Sequence, residues 1–208
     1  MGIYEIVLVI HVLAGTTALV AGPVPMFSAK GGRIHRRWGM AYFAAMIVTT
    51  VAAFALAVMR HDILLLAIAV FSFFLVYRGY RAVLRLRGGA LDARDMLAAV
   101  GCLAFSAGLF AYGLPPVGGD WNVPAMFFGF IGFRVAGQQV RPLLAPDEVD
   151  WLNVHLTSMG GGYVATVTAA LLVNVHGVSS TLVFIAPTLV GVLLILRASR
   201  KYARRPVT

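Results

Sequence analysis

The segment Trp151–Asn174, WLNVHLTSMGGGYVATVTAALLVN, is long enough to cross a bilayer and yet carries His155 about one turn from its start. At 3.6 residues per turn, Met159, Tyr163, Thr166 and Ala170 fall on the face of the histidine, while Leu, Val and Ala make up most of the other face. An isolated charge near the bilayer centre costs at least ~2.5–3.5 kcal/mol, so a membrane helix turns such a polar stripe toward other helices or a cavity. The rest of the chain has to supply the surface that meets this stripe.

Composition agrees with a membrane chain. Of the 208 residues, 60% are hydrophobic and only 12% charged, against roughly a quarter charged in a soluble domain. The net charge of +9 does not indicate nucleic acid, because the basic residues sit in short loops between apolar stretches. That is the pattern of the positive-inside rule, with attraction to anionic lipid as a secondary benefit. A single cysteine, Cys102, lies inside an apolar stretch and excludes a disulfide framework within one chain. It reads as a small core- or lipid-facing residue.

The apolar pattern predicts an all-α polytopic bundle of seven spans: Ile3–Ala21, Trp38–Met59, Ile63–Leu84, Met96–Leu114, Val123–Val140, Trp151–Asn174 and Ser180–Leu196. The first run lacks a positive leader and is about twenty residues long, so it reads as a retained span. Asp92 or Asp95 is positioned to cap the fourth helix. With the N-terminus outside and the C-terminus inside, the inner loops, helix ends and tail collect every Lys and Arg except Arg60. This organisation is one transmembrane domain over residues 1–197 with a basic cytoplasmic tail over 198–208. The expected location is the bacterial inner membrane.

Chemistry is expected where polar groups enter the spans. From the helical rise, His155 lies roughly 6 Å and Arg134 roughly 10 Å inside the inner boundary, and His11 lies roughly 15 Å from the inner end of its span. His35 stands at the boundary itself, with Arg36 beside it and Arg78 near the same level. Histidines in a dry bundle suit haem iron or a divalent metal, so His11, His35 and His155 are candidate ligands. A b-type haem needs two of them on different helices, with Arg36, Arg78 or Arg134 pairing the propionates and Tyr163 nearby. Depth favours His35 with His155 over His11 with His155. Alternatively His11 and His155 are hydrogen-bonded core groups, His35 is a polar interface residue among anionic lipid headgroups, and Arg78 and Arg81 snorkel to the headgroups. Gly160, Gly161 and Gly162 either loosen the sixth span or let a neighbouring helix approach closely. A zinc hydrolase is disfavoured, because no carboxylate lies within a span apart from those at the ends.

Three segments together, HVLAGTTALVAGP, GGRIHRRWGMAYFAAM and HLTSMGGGYVATVTAALLVN, resemble a bacterial family of multi-pass membrane proteins known as the domain of unknown function numbered 2306. The resemblance covers most of the chain. It implies that His11, Gly15, His35, Arg36, Gly39, His155, Met159, Gly162 and Tyr163 belong to the family pattern, with a longer glycine run after Met159. It groups the three histidines as one site and supplies no activity.

Three functions follow as expectations. The first is a haem- or metal-binding redox protein with a histidine-centred site toward the cytoplasmic half. The second is a transporter or a lipid- or anion-binding protein without cofactor. The third is an accessory subunit whose polar residues lock helices together. The corresponding partners are membrane lipids, an anionic small molecule or a quinone, and a further membrane protein. No catalytic residue is assigned.

Overall fold

A computed structural model describes residues 2–144 and 149–202, and every regular element in them is a helix. Seven long helices, α1 (Ile3–Ala21), α3 (Arg33–Arg60), α4 (Ile63–Leu86), α5 (Ala93–Tyr112), α7 (Val123–Leu144), α8 (Trp151–Asn174) and α9 (Ser180–Tyr202), are joined by short connections. Two of those connections contain the brief helices α2 (Pro23–Phe27) and α6 (Pro115–Gly118). Six of the long helices are long and apolar enough to cross a membrane. The seventh, α7, is of similar length but less apolar, since it carries Arg134, Gln138 and Gln139. The chain is an all-helical, multi-pass membrane bundle. The loop residues Asp147 and Glu148 and the last six residues of the expected tail lie outside the described residues.

Helix ends follow local chemistry. Asp62 accepts hydrogen bonds from the Leu64 and Leu65 N–H groups at the start of α4, and Asp150 accepts from the Asn153 N–H at the start of α8. At α5 the two expected candidates share the work. Asp92 is the cap, and Asp95 reaches back to the Asp92 N–H in a reciprocal box. The helix α3 begins five residues before the expected span, so His35 lies in its first turn rather than in the preceding loop.

Small residues make up much of the interior, beside larger ones such as Met46, Val76 and Phe74, and many large apolar residues face outward. Ala18, Ala21, Ala57, Ala67, Ala82, Ala99, Ala125 and Ala136 are buried to 1% exposure or less. Leu97 and Val173 are 75% and 72% exposed, on faces that lipid would cover. Lipid tails are as apolar as leucine, so membrane helices associate through close contact of small residues rather than through burial of large ones. At the α5–α7 contact, a Cβ on Gly129 would stand 2.6 Å from the Phe110 backbone N. The three glycines of α8 serve the same end. The helix runs unbroken through them, with Gly160 against Ile195 of α9 and Gly161 and Gly162 against Leu75 and Val76 of α4. Of the two readings of that run, close approach is the one the fold realises.

The centre of the bundle is α4, which packs against α3, α5, α7 and α8. Its last turns are tied to α5 by ions. Arg81 forks onto Asp95 at 2.6 and 2.7 Å and reaches Asp92 at 2.7 Å, and Arg85 also pairs with Asp95. Arg81 was expected to snorkel. It turns along the bundle instead, because the Asp95 carboxylate, only 2% exposed, sits within reach.

Candidate functional site

His155 enters the site from the second turn of α8. Its Nδ1 lies 2.9 Å from the main-chain oxygen of Gly79 on α4. The approach needs glycine at that position, since a Cβ on Gly79 would meet the Met159 side chain at 2.8 Å. His35 enters from the first turn of α3, and its Nδ1 lies 2.9 Å from the Pro25 oxygen of α2. That oxygen belongs to a one-turn helix with no following turn to take its last carbonyls, and Lys30 Nζ donates to the same atom at 3.0 Å. The two imidazoles meet with ring centres 6.3 Å apart and planes inclined at 62°.

The partners decide the tautomers. A carbonyl oxygen only accepts, so each Nδ1 carries the hydrogen and each neutral ring keeps its lone pair on Nε2. Donation of the second ring nitrogen to a carbonyl is the arrangement that orients metal-binding histidines and raises their basicity. Among the described residues, no group of three or more His, Cys, Asp or Glu side chains stands close enough to hold a metal ion. The pair suits a centre that takes two imidazoles from the protein, not a tetrahedral zinc site.

The other expected site residues fall elsewhere. His11, half-buried on α1, has its Nδ1 3.0 Å from the Thr49 oxygen of α3. Thr49 is fourteen residues beyond His35 on the same helix, roughly 21 Å along its axis. The three histidines therefore do not converge. Arg36 is exposed next to His35, and Arg134 is exposed on α7. Tyr163 donates to the Leu19 oxygen at 3.2 Å and packs edge-on against Tyr42, joining α8 to α1 and α3. Cys102 is buried with its sulfur 3.9 Å from the Ser106 hydroxyl.

Arg78 is buried, 6% exposed, and unlike Arg81 and Arg85 has no carboxylate partner among the described residues. Its Nε donates to Gln139 Oε1 at 3.0 Å, and its terminal nitrogens reach Ser158 Oγ at 3.3 Å and Gln138 Oε1 at 3.5 Å. The sequence placed Arg78 and Arg134 at similar depth without telling which faces inward. The adjacent Gly79, a small residue where α8 crosses, is the sequence clue that favours Arg78.

No family model, curated protein or solved structure matches this chain.

Proposed function

We propose that the protein is an electron-carrying membrane protein that holds a metal, in our reading a b-type haem iron, between His35 and His155. The observation that carries this reading is the adjacent pair of imidazoles, each with Nδ1–H fixed on a main-chain carbonyl and Nε2 left to bind. The two ring centres stand 6.3 Å apart, close enough for both Nε2 atoms to reach one ion if they turn toward it. Lys30 and Arg36 supply positive charge beside His35 for the carboxylates such a group carries. When bound, haem iron exchanges one electron. The chain's part is to orient both imidazoles and keep them in one tautomer.

The same reading places the N-terminus outside and the ends bearing His35, His155 and the Arg81–Asp95 cluster on the cytoplasmic side of a bacterial inner membrane. The support is the distribution of Lys and Arg, which leaves only Arg60 at the opposite ends. It also retains the membership suggested by the three resembling segments, and a quinone or a further membrane protein as electron partner.

The test is an absorption spectrum of protein purified in detergent without chelator, oxidised and then reduced, with metal analysis of the same sample. A Soret band with sharp bands on reduction supports haem. Folded protein with neither haem nor stoichiometric metal overturns the proposal.

A further inference from the structure

We propose that the cavity beside Arg78 is a binding site for an oxyanion, a carboxylate or phosphate group, separate from the histidine pair and independent of whether that pair holds a metal. The cavity is about 290 Å³ in volume and lies between α4, α7 and α8. Its polar lining is Arg78, Gln138, Asn153, Thr157 and Ser158, against an apolar wall that includes Leu75. The histidine pair shares α4 and α8 with the cavity but is completed by α2 and α3, whereas the cavity is completed by α7.

The argument starts from charge. Arg78 is 6% exposed and cannot lose its proton under ordinary conditions. Among the described residues the ion pairs join Arg81 and Arg85 to Asp92 and Asp95, and no carboxylate stands within pairing distance of Arg78. Its neighbours are neutral amides and a hydroxyl at 3.0–3.5 Å, the outer two contacts being long. A buried cation is normally paired, and one left with neutral neighbours in a cavity has unused donors aimed at whatever fills it. The guanidinium also excludes a cation as the occupant.

The cavity also offers a neutral polar group beside the charge. Asn153 Oδ1 is buried and has no hydrogen-bond partner, although the residue lines the same cavity. The carboxamide NH₂ of the same residue is the donor it can turn to an anion in the cavity. An anion in the cavity would receive hydrogen bonds from Arg78 and Asn153.

Calorimetric titration of the purified protein with inorganic phosphate and with acetate tests the site, beside native mass spectrometry of protein extracted with its lipids. Saturable binding of phosphate or acetate that weakens at least about tenfold in Arg78→Gln is expected for a free anion, because hydrogen bonds to charged groups are the stronger ones. A phospholipid retained by the wild type and lost from Arg78→Gln assigns the same site to a lipid headgroup. If Arg78→Gln fails to fold, Asn153→Leu, which leaves the charge in place, takes its role with the same expected direction. A wild type that binds neither the two anions nor an anionic lipid overturns the proposal, as does unchanged binding in the folded variants.

Discussion

Replacing Asp95 by Asn tests the ionic joint between α4 and α5. The carboxylate is 2% exposed and takes a forked pair of hydrogen bonds from Arg81 at 2.6 and 2.7 Å, as well as the Arg85 guanidinium and the Asp92 N–H. Removing one partner of a buried pair costs ~3–5 kcal/mol, because the remaining charge is left without compensation. Asp92 tempers the loss, since it stays 2.7 Å from Arg81 and its side chain is 46% exposed. The expected destabilisation is therefore about 2–3 kcal/mol, below the fully buried range. Unfolding in detergent micelles, followed by helical circular dichroism against a denaturing detergent, reads this out. The double variant with Arg81→Gln should lose less than the sum of the two single losses by at least ~1 kcal/mol, since contacting residues are not additive. A single-variant loss within ~0.5 kcal/mol of zero, or strict additivity, would refute the reasoning.

Other outcomes follow from the packing and the caps. Gly129→Ala should cost ~1–3 kcal/mol, because its Cβ meets Phe110 and Ser106 backbone at 2.6 and 2.8 Å. On the same helix, Gly137 has open space and its change to Ala should be neutral or stabilising by ~1 kcal/mol, so equal effects would contradict the α5–α7 contact. Tyr163→Phe should cost ~1 kcal/mol through the lost bond to the Leu19 oxygen, and an unchanged melting curve would remove that link between α8 and α1. For Asp92, partial loss of water would raise the carboxyl, but hydrogen bonds from Arg81 and the Arg94 N–H, with both guanidinium charges, outweigh it and hold the group below its ordinary value. Such a group stabilises fully above its unfolded value and loses that contribution as pH falls through the lower folded one. Wild type and Asp92→Asn should accordingly differ in melting temperature near neutrality and converge in acid, and a gap that persists unchanged into acid would argue against the pairing.

Much of the fold is legible in the chain because its punctuation is strong. Gly22-Pro23 ends α1 and Asp150 caps α8, and both helices have the bounds read from the sequence. The start of α3 was less legible. Lys30, Arg33, Arg36 and Arg37 mark a membrane boundary by charge, but charge does not stop a helix from forming, and Gly32 begins it five residues earlier. The site was legible by depth and not by rotation. Depth brought His35 and His155 to one level and set His11 apart. The direction each side chain takes around its helix depends on which neighbour it packs against. In α7, phenylalanines on several faces conceal which side is inward. Hence Arg134 was an inward candidate and is exposed, while Arg78 was a snorkelling candidate and is buried among Gln138, Gln139 and Ser158. The alanine-lined interior was equally hidden, since alanine occurs on every span and its burial is decided by helix contacts.

The most direct test of the histidine pair is the reduced-minus-oxidised absorption spectrum of the wild type beside His35→Ala, His155→Ala and His11→Ala, all shown to be folded. The pair as metal site predicts a two-imidazole haem spectrum that is lost or altered in the first two variants and retained in His11→Ala, whose ring binds Thr49 far along α3. A spectrum that survives both His35→Ala and His155→Ala, or a wild type without chromophore or metal, would contradict it.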